Sequence, residues 1–121
     1  MENRAEKIEA LKILVDFNGR LINNMKILVK ELREEKLEDT DKLLNDVLNA
    51  INWEISIVRS TADLLNENTE KISKDKFNEK IIDLGEALQK KEDNKIAEAM
   101  EKLIIQFEVL GEVVRKILRA N

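Results

Sequence analysis

The chain has no cysteine, histidine, proline or tyrosine in 121 residues, and it has only three glycines and one tryptophan. Without histidine and cysteine it lacks the usual ligands of zinc and the Glu-x-x-His pairs of di-iron helical bundles. The same absence removes phosphorelay histidines, disulfides and histidine-based acid–base chemistry. We therefore predict that the protein is not an enzyme and that it holds no metal and no cofactor.

Residues that interrupt helices are rare, whereas isoleucine, leucine, lysine and glutamate are abundant. Apolar residues make up 43% of the chain, enough for one core, and charged residues make up 38%. The charged share is above the ~25% of ordinary domains, which suits helices with solvated outer faces. We predict a single all-α domain over residues 1–121.

The net charge of −4 and the pI near 5.1 argue against nucleic acid as a partner. No apolar run approaches the ~18 residues of a membrane span. The N-terminal stretch MENRAEKIEALK mixes acids and bases and lacks the apolar segment of a signal peptide. The predicted location is the cytoplasm, with no membrane partner.

Apolar spacing predicts an up-down-up-down bundle of four helices over residues 2–37, 40–66, 74–91 and 94–120, of which the third is short. Ser73 is the predicted N-cap of the third helix, and Asp39 or Thr40 that of the second. The clearest repeat, at steps of four and three, lies in the last helix: Ile96, Met100, Leu103, Phe107, Leu110, Val114 and Ile117.

The first helix has a predicted seam that Asn18 interrupts: Ile8, Leu11, Val15, Ile22, Met25, Val29 and Leu32, widened by Leu14, Leu21 and Leu28. Asn18 is interpreted as a register device or, alternatively, as a contact to a ligand. Gly19 follows it and predicts a close helix contact or a slight bend. In the second helix, Glu54 and Thr61 lean inward but are expected to lie at a solvated edge.

The first two helices each have a second apolar stripe on another side. One explanation is that Trp53, the single tryptophan, merely plugs the edge of the bundle. The other is that the two stripes meet another molecule, because large aromatic residues are enriched at interface centres. The candidate interface residues are Ile13, Phe17, Ile27, Trp53, Ile57 and Leu64.

Glu34, Glu35 and Glu38 resemble the first half of the metal-binding pattern of all-α nucleoside triphosphate pyrophosphohydrolases. Those enzymes also need a Glu-x-x-Asp on the following helix, whereas Glu54 here is followed at that spacing by Ile57. Carboxylates from one helix end do not converge on an ion. The run is therefore interpreted as a solvated helix end.

Residues 82–114 include Ala87-Leu88-Gln89-x-Lys91, then Asp93, and further on Phe107-Glu108. This segment resembles uncharacterised bacterial helical-bundle proteins encoded near motility genes, in which Tyr-Glu stands at the place of Phe107-Glu108. The resemblance implies an interaction role or an export-chaperone-like role without catalysis, and it supplies no site residues.

Taken together, these patterns predict a non-catalytic protein–protein interaction module, an adaptor or chaperone-like factor that forms a homodimer. The alternative is a small-molecule-binding regulatory bundle with a cavity beside Asn18, Gly19 and the short third helix. The partner itself is not encoded in any recognisable motif.

Overall fold

The computed structural model describes residues 4–67 and 72–120, which form four α-helices. The predicted all-α four-helix bundle is confirmed. The predicted start at residue 2 and the middle of the predicted loop, residues 68–71, lie outside the described residues. The helices are α1 (Arg4–Arg33), α2 (Thr40–Leu65), α3 (Lys74–Lys90) and α4 (Asp93–Ala120).

The first connection is longer than predicted, because α1 ends at Arg33 and not at residue 37. The polar run that follows has no apolar side to place against the bundle. Thr40 turns the chain here: its Oγ1 accepts from the Leu37 amide (2.8 Å) and donates to Glu31 Oε1 (2.7 Å). Asp39 stands at the N-cap position of α2 without a side-chain capping bond. The threonine hydroxyl therefore closes the turn and does not cap the helix.

The cap predicted for α3 is confirmed, since the Ser73 hydroxyl accepts from the amide of Lys76 at 3.2 Å. The described part of the second connection also closes one end of the bundle. Ile72 is buried, and the side chain of Asn66 bonds both its amide and its carbonyl. Although α3 is short, the core-facing leucines of α1 are buried from Leu11 to Leu32.

The helices alternate in direction. Lys7 lies against Asp63 and Glu31 against Thr40, so α1 and α2 are antiparallel. Arg33 pairs with Glu101, which makes α1 and α4 antiparallel as well. Close backbone packing joins α1 to α2, α1 to α4 and α3 to α4. Within residues 4–67 and 72–120, no Cα of α3 comes within 8 Å of a Cα of α1 or α2, so α3 packs closely on α4 alone.

All seven positions of the predicted α4 repeat are buried, with Phe107 at the centre in edge-to-face contact with Phe77 (centroids 5.5 Å apart). The leucines predicted to widen the seam of α1, Leu14, Leu21 and Leu28, are buried members of it. The seam also includes Asn18, whereas Ile8, Val15, Ile22 and Val29 are only partly buried beside it. The buried line alternates steps of three and four: Leu11, Leu14, Asn18, Leu21, Met25, Leu28 and Leu32. Asn18 is therefore a full member of the seam.

Candidate interaction surface

An aromatic pair lies on the outer side of the α1–α2 contact. Phe17 and Trp53 meet edge to face, with ring centroids 5.0 Å apart and planes at 63°. Such pairs contribute about 0.5–1.5 kcal/mol beyond the area they bury. The guanidinium carbon of Arg20 stands 5.7 Å from the centroid of Phe17. Trp53 is nonetheless 39% exposed, so its indole faces solvent as well as its neighbour.

The antiparallel register extends this pair into a larger surface. Lys7 faces Asp63 and Phe17 faces Trp53, so a residue later in α1 faces a residue earlier by the same number of positions in α2. This register places Ile13 at the level of Ile57. Ile13 is 58% exposed and Ile57 is half-buried against the core. Ile13, Phe17, Trp53 and Ile57 together form what we term the aromatic surface.

Two of the six residues predicted for an interface do not belong to this surface. Ile27 is exposed, but it follows Phe17 by ten residues and thus lies about 15 Å further along α1. Leu64 is buried at 5% exposure, which corrects its prediction. The Lys7–Asp63 and Arg4–Glu67 pairs hold the first turns of α1 against this end of α2 and leave Leu64 inside.

A groove of about 300 Å³ continues from Phe17 along the same helix pair. Its polar side chains include Arg20 and Asp46, and its floor is apolar. The lining residues are Phe17, Arg20, Leu21, Asn24, Leu43, Asp46, Val47 and Ala50. The aromatic surface therefore adjoins a concave strip between the two helices.

The outer face of α2 has no charge at this level, a feature that the sequence analysis missed. Between Asp46 and Arg59 the single charged residue is Glu54, and its side chain is fully buried. The hydroxyls of Ser56 and Ser60 donate to main-chain carbonyls of their own helix, at 2.6 and 3.0 Å. Depletion of charge is typical of interface cores. In a chain that is 38% charged, this gap was visible in the sequence.

Glu54 was expected at a solvated edge, and this expectation is wrong. It continues the buried line of α2, together with Val47, Ile51, Val58, Thr61 and Leu65. Neither carboxylate oxygen has a hydrogen-bond partner within the described residues. Burial raises the pKa of Glu54 to about 8, because the charged form loses its hydration. The side chain therefore carries its proton at neutral pH. Thr61, also buried, is satisfied by donating to the carbonyl of Ile57 at 2.7 Å.

Asn18 is also fully buried, and its Nδ2 donates to the carbonyl of Phe107 at 3.0 Å. The close helix contact expected at Gly19 is instead made at Gly111 of α4. A Cβ on Gly111 would lie 2.9 Å from Asn18 Nδ2, whereas a Cβ on Gly19 would have open space around it. Gly19 is exposed on the side of α1 that faces away from the core.

The acidic run at residues 34–38 lies in the first connection, and its glutamates are exposed. Within the described ranges 4–67 and 72–120, no three His, Cys, Asp or Glu side chains converge in a way that could hold a metal ion. Over the same ranges, no helix combines the length and the apolar character needed to cross a membrane.

Comparison with known proteins places this architecture in a family. A family model described as "Domain of unknown function (DUF8042)" matches residues 9–112, from the second turn of α1 to the second half of α4. The family description contains no link to motility. No curated protein and no solved structure matches the chain. The chain therefore belongs to the DUF8042 family of domains of unknown function.

Proposed function

We propose that the protein is a non-catalytic protein–protein interaction module, an adaptor or chaperone-like factor that also self-associates through its aromatic surface. The observation that carries the proposal is the position of Trp53. An indole packed against Phe17 but 39% exposed is a costly residue to present to water and an effective one to bury in a partner.

The surroundings of Trp53 support the same use. Ile13, one helical turn before Phe17, adds an exposed branched side chain, and the serine hydroxyls on α2 are already bonded within the helix. The donor hydrogens of these hydroxyls would therefore need no partner from a docking protein. On α2 between Asp46 and Arg59, a docking partner would meet no exposed charged side chain that has to be desolvated.

The proposal includes a location in the cytoplasm and the export-chaperone-like role implied by the resemblance of residues 82–114 to bundles encoded near motility genes. Deleting the gene in its host and measuring motility and secretion tests this part separately. Normal motility and secretion in the deletion strain would remove the resemblance from the proposal and leave the interaction surface to be judged on its own.

A small-molecule-binding regulator is the second candidate, and the groove beside Phe17 and Arg20 favours it. Its volume of about 300 Å³ lies at the lower limit of typical ligand pockets. A panel of metabolites in a thermal-shift assay would reveal such a ligand. One present at 100 times its dissociation constant stabilises the fold by about 2.7 kcal/mol.

The experiment that tests the interaction function uses Trp53 as its own reporter, because the chain has one tryptophan and no tyrosine. We expect the emission maximum of the wild-type protein to move to shorter wavelength as concentration rises, since association would remove water from the indole. Sedimentation velocity over the same concentrations gives the mass of the associating species.

Two glutamate variants provide a matched comparison. Ile13 on α1 and Ile105 on α4 are isoleucines of nearly equal exposure, 58% and 57%, on different helices. We expect Ile13→Glu to abolish both the spectral shift and the association, and Ile105→Glu to leave them unchanged. Equal behaviour of the two variants would show that the aromatic surface has no special role.

A further inference from the structure

The outer face of α2 has an ordered pattern of uncharged and charged residues. We define the charge-free face as the exposed residues between Asp46 and Arg59, none of which is charged: Asn49, Asn52, Trp53 and Ser56. They recur at helical spacing and span about 11 Å. This face contains Trp53 and therefore joins the aromatic surface edge to edge.

The charges at the two ends of this face form a mirrored pattern. Lys42 stands ten residues before Asn52, and Asp63 stands ten residues after Trp53. Asp46 stands six residues before Asn52, and Arg59 six after Trp53. In order along α2 the signs are therefore plus, minus, plus and minus, with the uncharged stretch in the middle.

This pattern is self-complementary in one orientation. If two copies of α2 lie antiparallel around a two-fold axis between Asn52 and Trp53, Lys42 of one copy reaches the level of Asp63 in the other. Asp46 likewise reaches the level of Arg59. In a parallel pair, each charged residue would lie at the level of the same residue in the other copy, so every pair would have like charges and repel. A two-fold interface requires this kind of self-complementary surface.

We propose that the charge-free face of α2 is the contact of an antiparallel two-fold homodimer, in which Lys42 and Asp63 pair across the interface at both ends. This inference rests on the proposed interaction function and names its partner as a second copy of the chain. The face presents no charge to be desolvated at its centre, and its rim selects the orientation.

Both rim residues also have partners within their own chain. Lys42 binds Asp46 at 3.0 Å and Lys7 binds Asp63 at 2.6 Å. A lysine has three donors and a carboxylate can accept several, so each side chain can take a second partner in the dimer. Any test must therefore separate the loss of an in-chain pair from the loss of an intermolecular one.

Charge reversal of single residues, followed by mixing, makes this separation. In a homodimer of the Lys42→Glu variant, the introduced glutamate faces Asp63 at both ends; in a homodimer of the Asp63→Lys variant, two lysines face each other. We expect each variant alone to dimerise roughly tenfold more weakly than wild type, because two attractions become two repulsions. An equimolar mixture should form the heterodimer, in which every rim pair is again of opposite sign.

The double variant Lys42→Glu/Asp63→Lys provides the second arm, since it has the net charge of the wild type. We expect it to dimerise at least as tightly as the wild type. In-chain losses would persist in both the mixture and the double variant, so recovery in either reports the intermolecular pair. At 1 M salt, where the Debye length falls to about 3 Å, the differences among all variants should shrink.

Native mass spectrometry and sedimentation equilibrium give the populations of each species. Homodimers of the single variants as tight as wild type, or no recovery on mixing, would overturn the antiparallel geometry. If Ile13→Glu still abolished association in that case, the interaction function would stand with another arrangement of copies. A wild-type chain that remains monomeric at the highest soluble concentration would overturn the homodimer altogether.

Discussion

The side-chain amide of Asn18 in α1 donates a 3.0 Å hydrogen bond to the main-chain carbonyl of Phe107 in α4, at the centre of the core. The leucines on either side of Asn18 could pack equally well if α1 were shifted along α4 by one turn. The Asn18 amide could not be accommodated after such a shift, because it would then be buried without its hydrogen-bond acceptor. The bond therefore fixes the axial register of α1 against α4, the use of a buried asparagine that is best established in helical bundles.

The first prediction concerns Gly111, which makes room for this bond. A Cβ there would lie 2.9 Å from Asn18 Nδ2, closer than side chains tolerate. We expect Gly111→Ala to cost about 1–3 kcal/mol in displaced packing, against a gain of up to about 1 kcal/mol in helix propensity. The net result is a loss of free energy of unfolding of between about 0 and 3 kcal/mol, measured by urea denaturation.

Gly85→Ala is the matched control. Gly85 lies inside α3 with nothing within 4 Å of where its Cβ would be. The same substitution there should raise the free energy of unfolding by up to about 1 kcal/mol, because alanine restricts the unfolded chain and favours helix. If Gly111→Ala stabilised the protein as much as Gly85→Ala, the close approach of Asn18 would not constrain α4.

Helix number, order and most core positions could be predicted from sequence, because the 3.6-residue period of α4 is uninterrupted from Ile96 to Ile117. The end of α1 could not be predicted, because Glu34 to Lys36 are good helix formers. Where the helix ends depends on where the other helices stop packing against it. For Asn18 and Glu54, periodicity pointed inward and polarity pointed outward. In the structure both residues are buried, as periodicity indicated. The average burial preference of a residue type describes many proteins and does not decide the burial of one residue.

The candidate surface was partly predictable. Ile13, Phe17, Trp53 and Ile57 share the expected stripes, and the antiparallel register places them at neighbouring levels once α1 and α2 are known to be neighbours. Leu64 failed because its exposure depends on the first turns of α1, which the spacing of α2 cannot reveal. The sequence from Val47 to Val58 has one ionisable residue, Glu54, and only the structure shows that its side chain is buried and leaves the outer face without charge.

The second prediction concerns pH and follows from Glu54. Burial raises its pKa in the folded protein to about 8, whereas the unfolded chain has the ordinary value near 4.5. Between these two values the unfolded state releases a proton that the folded state keeps. The free energy of unfolding should therefore be highest below about pH 4.5 as far as this group is concerned, fall as pH rises, and level off above about 8. The loss is on the order of several kcal/mol.

Urea denaturation of the wild type and of Glu54→Gln at pH 5, 7 and 9 measures this effect. Glutamine keeps the shape and cannot ionise, so the variant should show a much flatter dependence on pH and should exceed the wild type most at pH 9. A wild type and variant with parallel pH profiles would mean that Glu54 gains solvent or a partner on ionising.

The third prediction concerns Lys91, at the C-cap of α3. Its φ of 56° is in the left-handed region, and its amide bonds the carbonyls of Ala87 and Leu88. Glycine adopts this conformation without strain and is the preferred residue at such positions. Lys91→Gly should raise the free energy of unfolding by about 0.5–1 kcal/mol, although it makes an exposed position more flexible in the unfolded chain. The exposed neighbour Lys90, the last residue of the helix, is the control: Lys90→Gly should lower stability by up to about 1 kcal/mol.

The fourth prediction separates the core of α4 from its surface. Leu110 is fully buried beside Phe107, whereas Ile105 on the same helix is 57% exposed. Leu110→Ala should lower the free energy of unfolding by about 2–5 kcal/mol, through lost apolar contact and the cavity left behind. Ile105→Ala should change it by no more than about 0.5 kcal/mol, since no cavity forms at an exposed site.

Both variants are measured by urea denaturation at low protein concentration, so that self-association does not add to the apparent stability. Comparable losses in the two variants would mean that Ile105 is covered by a second copy or by another element of the chain even at low concentration. Repeating the Ile105→Ala measurement at tenfold lower protein concentration distinguishes these two explanations. Only a contribution from a second copy would weaken on dilution.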